Sequence, residues 1–161
     1  MTETAVANPF YKSEKGFQAM TKWYDSLVDK FEVEVDSLYV PTRFGQTHMF
    51  AAGPMDAPPL ILVQGLSASA PLWRHQLRDL SRSLRVYALD TPGQPGRSDP
   101  NPPSYLDQSY SQWLQDVLDG LELEKASFGG ISAGAWLAFQ FGLFAPQRLQ
   151  KVVLMSMSGL R

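Results

Sequence analysis

The chain has 161 residues, 44% of them hydrophobic, with a formal net charge of −2 and a pI near 5.6. That is enough apolar content for one domain with a sizeable core, and the charge is mixed, with no basic block to suggest a nucleic acid or an anionic membrane as partner. Cysteine is absent, which excludes disulfides and thiolate chemistry. The opening MTETAVANPFYKSEKG lacks an apolar signal-peptide core, and no apolar run is long enough to span a bilayer, so a cytoplasmic location is expected.

In chain order, Ser13 to Phe31 places Phe17, Met20, Trp23, Tyr24, Leu27, Val28 and Phe31 at helical spacing, which predicts an amphipathic helix. EVEVDSLYVPTRFGQTHMFAAGP alternates apolar and polar residues and breaks at Arg43-Phe44-Gly45-Gln46, the pattern of an antiparallel hairpin. PPLILVQG is apolar on both faces, as a strand buried between helix layers must be. Ala70 to Leu84 reads as a helix with Leu72, Trp73, Leu77, Leu80 and Leu84 inward, and LRVYALD as a second buried strand. The Pro/Gly-rich TPGQPGRSDPNPPS is a loop within the domain, because strand and helix patterns resume at once. Tyr110 to Leu121 is helical, KASFGGIS a strand, Ala133 to Ala145 a nearly all-apolar helix and LQKVVLMSM a last strand. The alternation from Leu60 onward predicts an α/β fold: a mostly parallel sheet with helices on both faces and the hairpin at one edge.

Chemistry concentrates in FGGISAGAWLAF. Gly130-Ile131-Ser132-Ala133-Gly134 fits G-x-S-x-G, follows a predicted strand and opens a predicted helix, which is the setting of a nucleophile elbow. Such a sharp turn holds the serine in a strained conformation, and the residues two positions away on either side must lack bulk where strand and helix cross. The serine Oγ is lifted to a helix N-terminus, where N–H groups and the helix dipole favour negative charge. The alternative is that the glycines only permit close helix–strand packing. In acyl transfer the oxyanion needs two backbone donors. Ala133, after the serine, is one. The loop VQGLSAS after the first buried strand supplies the other, most plausibly Leu66 beside Gly65, unless it is an ordinary strand-to-helix turn. Asp90 ends a buried strand in LDTPGQPGRSD; a turn-organising carboxylate is the preferred reading over a catalytic acid.

These motifs, in this order, resemble the α/β-hydrolase family, and TRFGQTHMFAAGP, LILVQGLSASAPLW, DTPGQPGRSDP and LELEKASFGGISAGAWLA are similar to its carboxylesterase-like serine hydrolases. The resemblance runs from about Phe10 to Leu160. It implies a single α/β-hydrolase domain of which residues 1–161 are the N-terminal part: a leading helical segment over 1–32, then sheet and covering helices over 33–161, ending at the sixth strand. By the same resemblance Ser132 is the nucleophile, Leu66 and Ala133 form the oxyanion hole, Gly130 and Gly134 are the elbow glycines, and Trp73 and Trp136 stand near the acyl pocket, although core packing accounts for the two tryptophans equally well. The implied partner is a small-molecule ester, with no metal and no organic cofactor. Where the family commonly has His-Gly at the oxyanion strand end, this chain has Gln64-Gly65.

The family order is Ser, then Asp or Glu, then His. After Ser132 the chain contains no His, Asp or Glu; His48, read as a strand residue, and His75, read as a helix-surface or pocket-rim residue, both precede it. The triad acid and histidine are therefore expected beyond residue 161, in the missing part of a longer hydrolase. The alternatives are half of a split enzyme or a non-catalytic binding module. KVVLMSM, left as a sheet edge, is apolar and nearly uncharged, which invites edge-strand self-association.

Overall fold

The structure is a computed structural model and describes residues 10–159. The first nine residues of the expected leading segment, and Leu160 and Arg161, lie outside the described residues. A six-stranded sheet is built from β1 (Asp36–Thr42), β2 (Gly45–Ala52), β3 (Pro59–Val63), β4 (Arg85–Leu89), β5 (Ala126–Ile131) and β6 (Leu149–Met155), in the order β1-β2-β4-β3-β5-β6. The hairpin pair is antiparallel to itself and to β4, and the β4-β3-β5-β6 pairings are parallel.

Among the described residues four α-helices cover the sheet: α1 (Glu14–Val28), α2 (Arg74–Leu80), α3 (Ser109–Gly120) and α4 (Ala133–Phe144). Strand alternation sends Phe50, Leu60, Leu62, Val86 and Ala88 to one face, where they pack with Tyr24 of α1, Leu77 of α2 and Trp73 just before α2. Met49, Ile61, Val63, Tyr87 and Leu89 face the other way, against Trp113, Leu114, Val117 and Leu118 of α3 and Leu137, Ala138 and Phe141 of α4. Because β3 and β4 are covered on both sides, almost every one of their residues is buried, which is why they read as continuous apolar runs. Trp113, buried between α3 and the hairpin, keeps its indole N–H satisfied by donating to Thr47 Oγ1 at 2.8 Å.

Three expectations shift. Helix α1 starts one residue later than read, because Ser13 is its N-cap and accepts from the Gly16 amide at 3.1 Å. It stops at Val28, before Phe31, which instead stacks edge-on against Phe50 with centroids 4.9 Å apart, and Trp23 turns outward. The helix read over Ala70 to Leu84 is a 3-10 turn, Ala70–Trp73, followed by the short α2. With three residues per turn, Ala70 and Trp73 share the inner side and Leu72, expected inward, is 40% exposed. Strand β6 is the sheet edge, and Val152, Val153 and Leu154 are all exposed on it.

Candidate active site

At the carboxyl ends of β3 and β5 the sequence motifs meet. Ser132 is the single residue between β5 and α4 and sits at φ 55°, ψ −121°. A non-glycine residue there is strained by about 1–3 kcal/mol and persists only where its surroundings fix it. The fixing bonds are visible. The Ser132 amide donates to the Met155 carbonyl at the end of β6 at 2.9 Å, and its own carbonyl accepts from the Ala135 and Trp136 amides of α4 at 3.1 and 3.2 Å. Serine is the usual helix N-cap because its hydroxyl bonds the first-turn amides. Here it makes no such cap bond: the positive φ turns the side chain away from the helix, and Oγ is left available at the helix N-terminus.

The glycines explain how strand and helix cross so closely. A Cβ on Gly134 would collide with the Val63 carbonyl oxygen of β3, and one on Gly130 with the Gly134 carbonyl oxygen. The elbow and β3 are therefore in backbone contact. A Cβ on Gly65 would lie 3.2 Å from Ser132 Cβ and 3.7 Å from Ser132 Oγ, which puts the loop after β3 directly beside the serine.

Leu66 follows Gly65 on that loop and is 60% exposed. Ala133 is the first residue of α4, so its N–H is one of those a helix start leaves without an intrahelical partner. Among the described residues neither the Leu66 nor the Ala133 amide donates a hydrogen bond within the protein. The elements thus bring Ser132, Gly130, Gly134, Ala133 and the Gly65–Leu66 turn to one place. The tryptophans lie on the elements that follow, Trp73 at the end of the 3-10 turn Ala70–Trp73 and Trp136 in the first turn of α4. Trp73 is 6% exposed in the core layer under α1, and Trp136, half-buried on α4, packs against Tyr105 with centroids 6.0 Å apart. Gln64, in the place of the family's histidine, is buried, and its carboxamide has no partner among the described residues.

Asp90 organises the neighbouring turn. It is fully buried, and its carboxylate accepts from the Tyr24 hydroxyl (2.6 Å), His48 Nδ1 (2.7 Å), the Ala70 amide (2.8 Å) and the Arg97 amide (3.1 Å). Its carbonyl accepts from Ser98 Oγ at 2.6 Å. Burial, and next the Asp90 charge, push the Tyr24 phenol well above the ordinary tyrosine range, so it stays a proton donor. A carboxylate oxygen only accepts, so His48 donates to Asp90 from Nδ1, while its Nε2 is hydrogen-bonded to Ser37 Oγ at 2.9 Å.

Ser37, His48 and Asp90 therefore reproduce the connectivity of a serine triad, yet the setting is that of a brace. A fully buried imidazole needs a partner at each nitrogen, and Ser37 lies inside the edge strand β1, without the strained turn or helix start that surrounds Ser132. Ser37→Ala is expected to lower stability by about 1–2 kcal/mol, read from the urea midpoint; an unchanged midpoint would show that Ser37 does not brace the imidazole. His75 is exposed on α2. Among the described residues neither histidine is hydrogen-bonded to Ser132, and no group of three or more His, Asp or Glu converges as a metal site. The role of Tyr24 and the reach of Gln94, described below, were not legible in sequence, since both depend on contacts between segments far apart in the chain.

A sheet in this strand order, with a serine on a strained strand-to-helix elbow and glycines on both sides, defines a class of fold. Residues 58–159 match the family model described as the alpha/beta hydrolase fold. The chain belongs to that family, and within it is carboxylesterase-like. It is 38% identical over 133 residues to an uncharacterized carboxylesterase, nap, of Bacillus subtilis (strain 168), covering 83% of this chain and 44% of the relative. It is 37% identical to carboxylesterase YbfK of the same organism, covering 83% and 45%. The crystal structure of naproxen esterase (carboxylesterase NP) from Bacillus subtilis superposes with a TM-score of 0.82 at 34% identity, covering 92% of this chain and 52% of that one. The chain thus spans about half the length of these relatives.

Proposed function

We propose that this chain carries the nucleophile and oxyanion half of a serine carboxylic-ester hydrolase. The observation that carries the reading is Ser132 at φ 55° with an uncapping hydroxyl and a glycine loop against its side chain: strain of this kind is kept where it serves a function. Ser132 Oγ attacks the ester carbonyl, and a histidine oriented by an acid, both supplied from outside residues 1–161, takes its proton and returns it to the leaving alcohol. The Leu66 and Ala133 amides stabilise the oxyanion, worth about 3–4 kcal/mol per donor. The Ala133 amide and the α4 dipole act together, since roughly half a positive charge resides at a helix start. Water then releases the acid from the acyl-enzyme by the same route. The names of the relatives support a carboxylic ester as substrate.

The test is capture of the intermediate. The full-length protein, quenched in acid during turnover of an activated aryl ester, is expected to gain the mass of one acyl group on the peptide containing Ser132. Turnover with acyl label on another residue, or ligand binding with no turnover at all, would overturn the reading; the latter outcome defines the binding module.

A further inference from the structure

We infer that Gln94 is a positioning residue of the oxyanion hole, an assignment that rests on the Ser132 hydrolase reading above. The loop after β3 has little of its own to hold it. Leu66 is largely exposed, so side-chain packing does not fix its amide. Ser67, the next residue, sits at φ 59°, a left-handed conformation that a serine adopts only under constraint. The constraint comes from another segment: the Ser67 amide donates to Gln94 Oε1 at 2.7 Å. Gln94 and Ser67 are far apart in sequence, and this is the tie that sets the backbone immediately after the donor.

Gln94 is itself held rigidly. Its amide closes a turn onto the Thr91 carbonyl at 3.0 Å. Gly93 before it has φ 77°, and a Cβ there would strike Pro102, so the turn is packed as well as bonded. On either side Asp90 anchors the chain, through the Arg97 amide at 3.1 Å on the Gln94 loop and the Ala70 amide at 2.8 Å on the oxyanion loop. One carboxylate and one carboxamide thus lock the two loops together, and Leu66 stands between the bonded Ser67 amide and Gly65, the residue that abuts Ser132. A backbone donor preorganised in this way costs no rearrangement when the oxyanion forms, which is where such donors gain their effect. Released, it must be aimed at the moment of reaction, and a misplacement of about 1 Å is enough to cost about a hundredfold in rate.

Two variants of the full-length protein separate the parts. Gln94→Leu removes the acceptor at similar size; Gln94→Glu keeps an acceptor at the same reach. In Gln94→Leu, kcat for an aryl ester is expected to fall about tenfold to a hundredfold with KM within about twofold, because the lost interaction belongs to the transition state. Binding of a boronic acid that forms a tetrahedral adduct should weaken in proportion. Exchange of the Ser67 amide with deuterium should accelerate in Gln94→Leu and remain at the parental rate in Gln94→Glu. Unchanged kcat in Gln94→Leu, or unchanged Ser67 exchange, overturns the role of Gln94 while leaving the Ser132 reading in place. Full turnover by Ser132→Ala overturns both.

Discussion

Ser132→Ala is expected to lower kcat for ester hydrolysis by about 10⁴-fold or more and to leave the fold intact. The loss corresponds to more than about 5 kcal/mol of transition-state stabilisation, because no other hydroxyl can stand where Oγ does: Ser132 alone joins β5 to α4. Stability should change by less than about 0.5 kcal/mol. The bonds that hold the elbow, from the Ser132 amide to Met155 and from Ala135 and Trp136 to its carbonyl, are all backbone bonds, and alanine keeps them together with the Cβ that touches the Gly65 loop. A companion variant separates strain from chemistry. Ser132→Gly loses the same activity but should gain about 1 kcal/mol in stability, because glycine adopts a positive φ without the Cβ penalty. Residual turnover above about a hundredth of the parent in Ser132→Ala would place the nucleophile elsewhere, and no gain in Ser132→Gly would mean that the elbow is not strained.

Much of this site is readable in the amino-acid order because it is made of short-range constraints. G-x-S-x-G needs its glycines within two residues of the serine, and the structure shows the collisions they avoid, with the Val63 and Gly134 carbonyls. The apolar runs of β3 and β4 announce burial on both faces for the same local reason. What escapes the sequence is long-range. Asp90 reads as a turn-former, and it is one, but that the turn is tied to helix α1 through Tyr24 and to the hairpin through His48 follows only from the way α1 lies on the sheet. Nothing local in the Pro/Gly-rich loop marks Gln94, whose partner Ser67 lies on a distant segment. Leu72 turns outward while Trp73 stays buried, because the 3-10 turn Ala70–Trp73 has a different period from the α-helix that the apolar spacing suggests. Trp23 faces water although its spacing fits the apolar stripe of α1, since that helix presents only Tyr24 and Leu27 to full burial.

Asp90→Ala is the expected largest loss of stability, about 4 kcal/mol or more, and its consequences reach the site. The substitution leaves the Tyr24 hydroxyl, the His48 Nδ1–H and the Ala70 and Arg97 amides without their acceptor. Stranded buried donors cost about 1–3 kcal/mol each. Against the roughly 5–15 kcal/mol that holds a domain together, this brings the protein close to unfolding at room temperature. Asp90→Asn keeps one accepting oxygen but turns an amide N–H₂ toward groups that themselves donate, so it should lose about 2–3 kcal/mol. In a double-mutant cycle with Tyr24→Phe, the coupling should be about 1.5–3 kcal/mol, the range for a hydrogen bond to a charged group. Since Asp90 also anchors the loops that carry Leu66 and Gln94, the Asn variant should lose kcat at temperatures well below its unfolding midpoint, with Ser67 amide exchange rising in step. A urea midpoint for Asp90→Ala within the equivalent of about 1 kcal/mol of the parent would show that the cluster is not the keystone its geometry describes. Parental kcat in a folded Asp90→Asn would confine the carboxylate to stability and leave the alignment of the oxyanion loop to Gln94 alone.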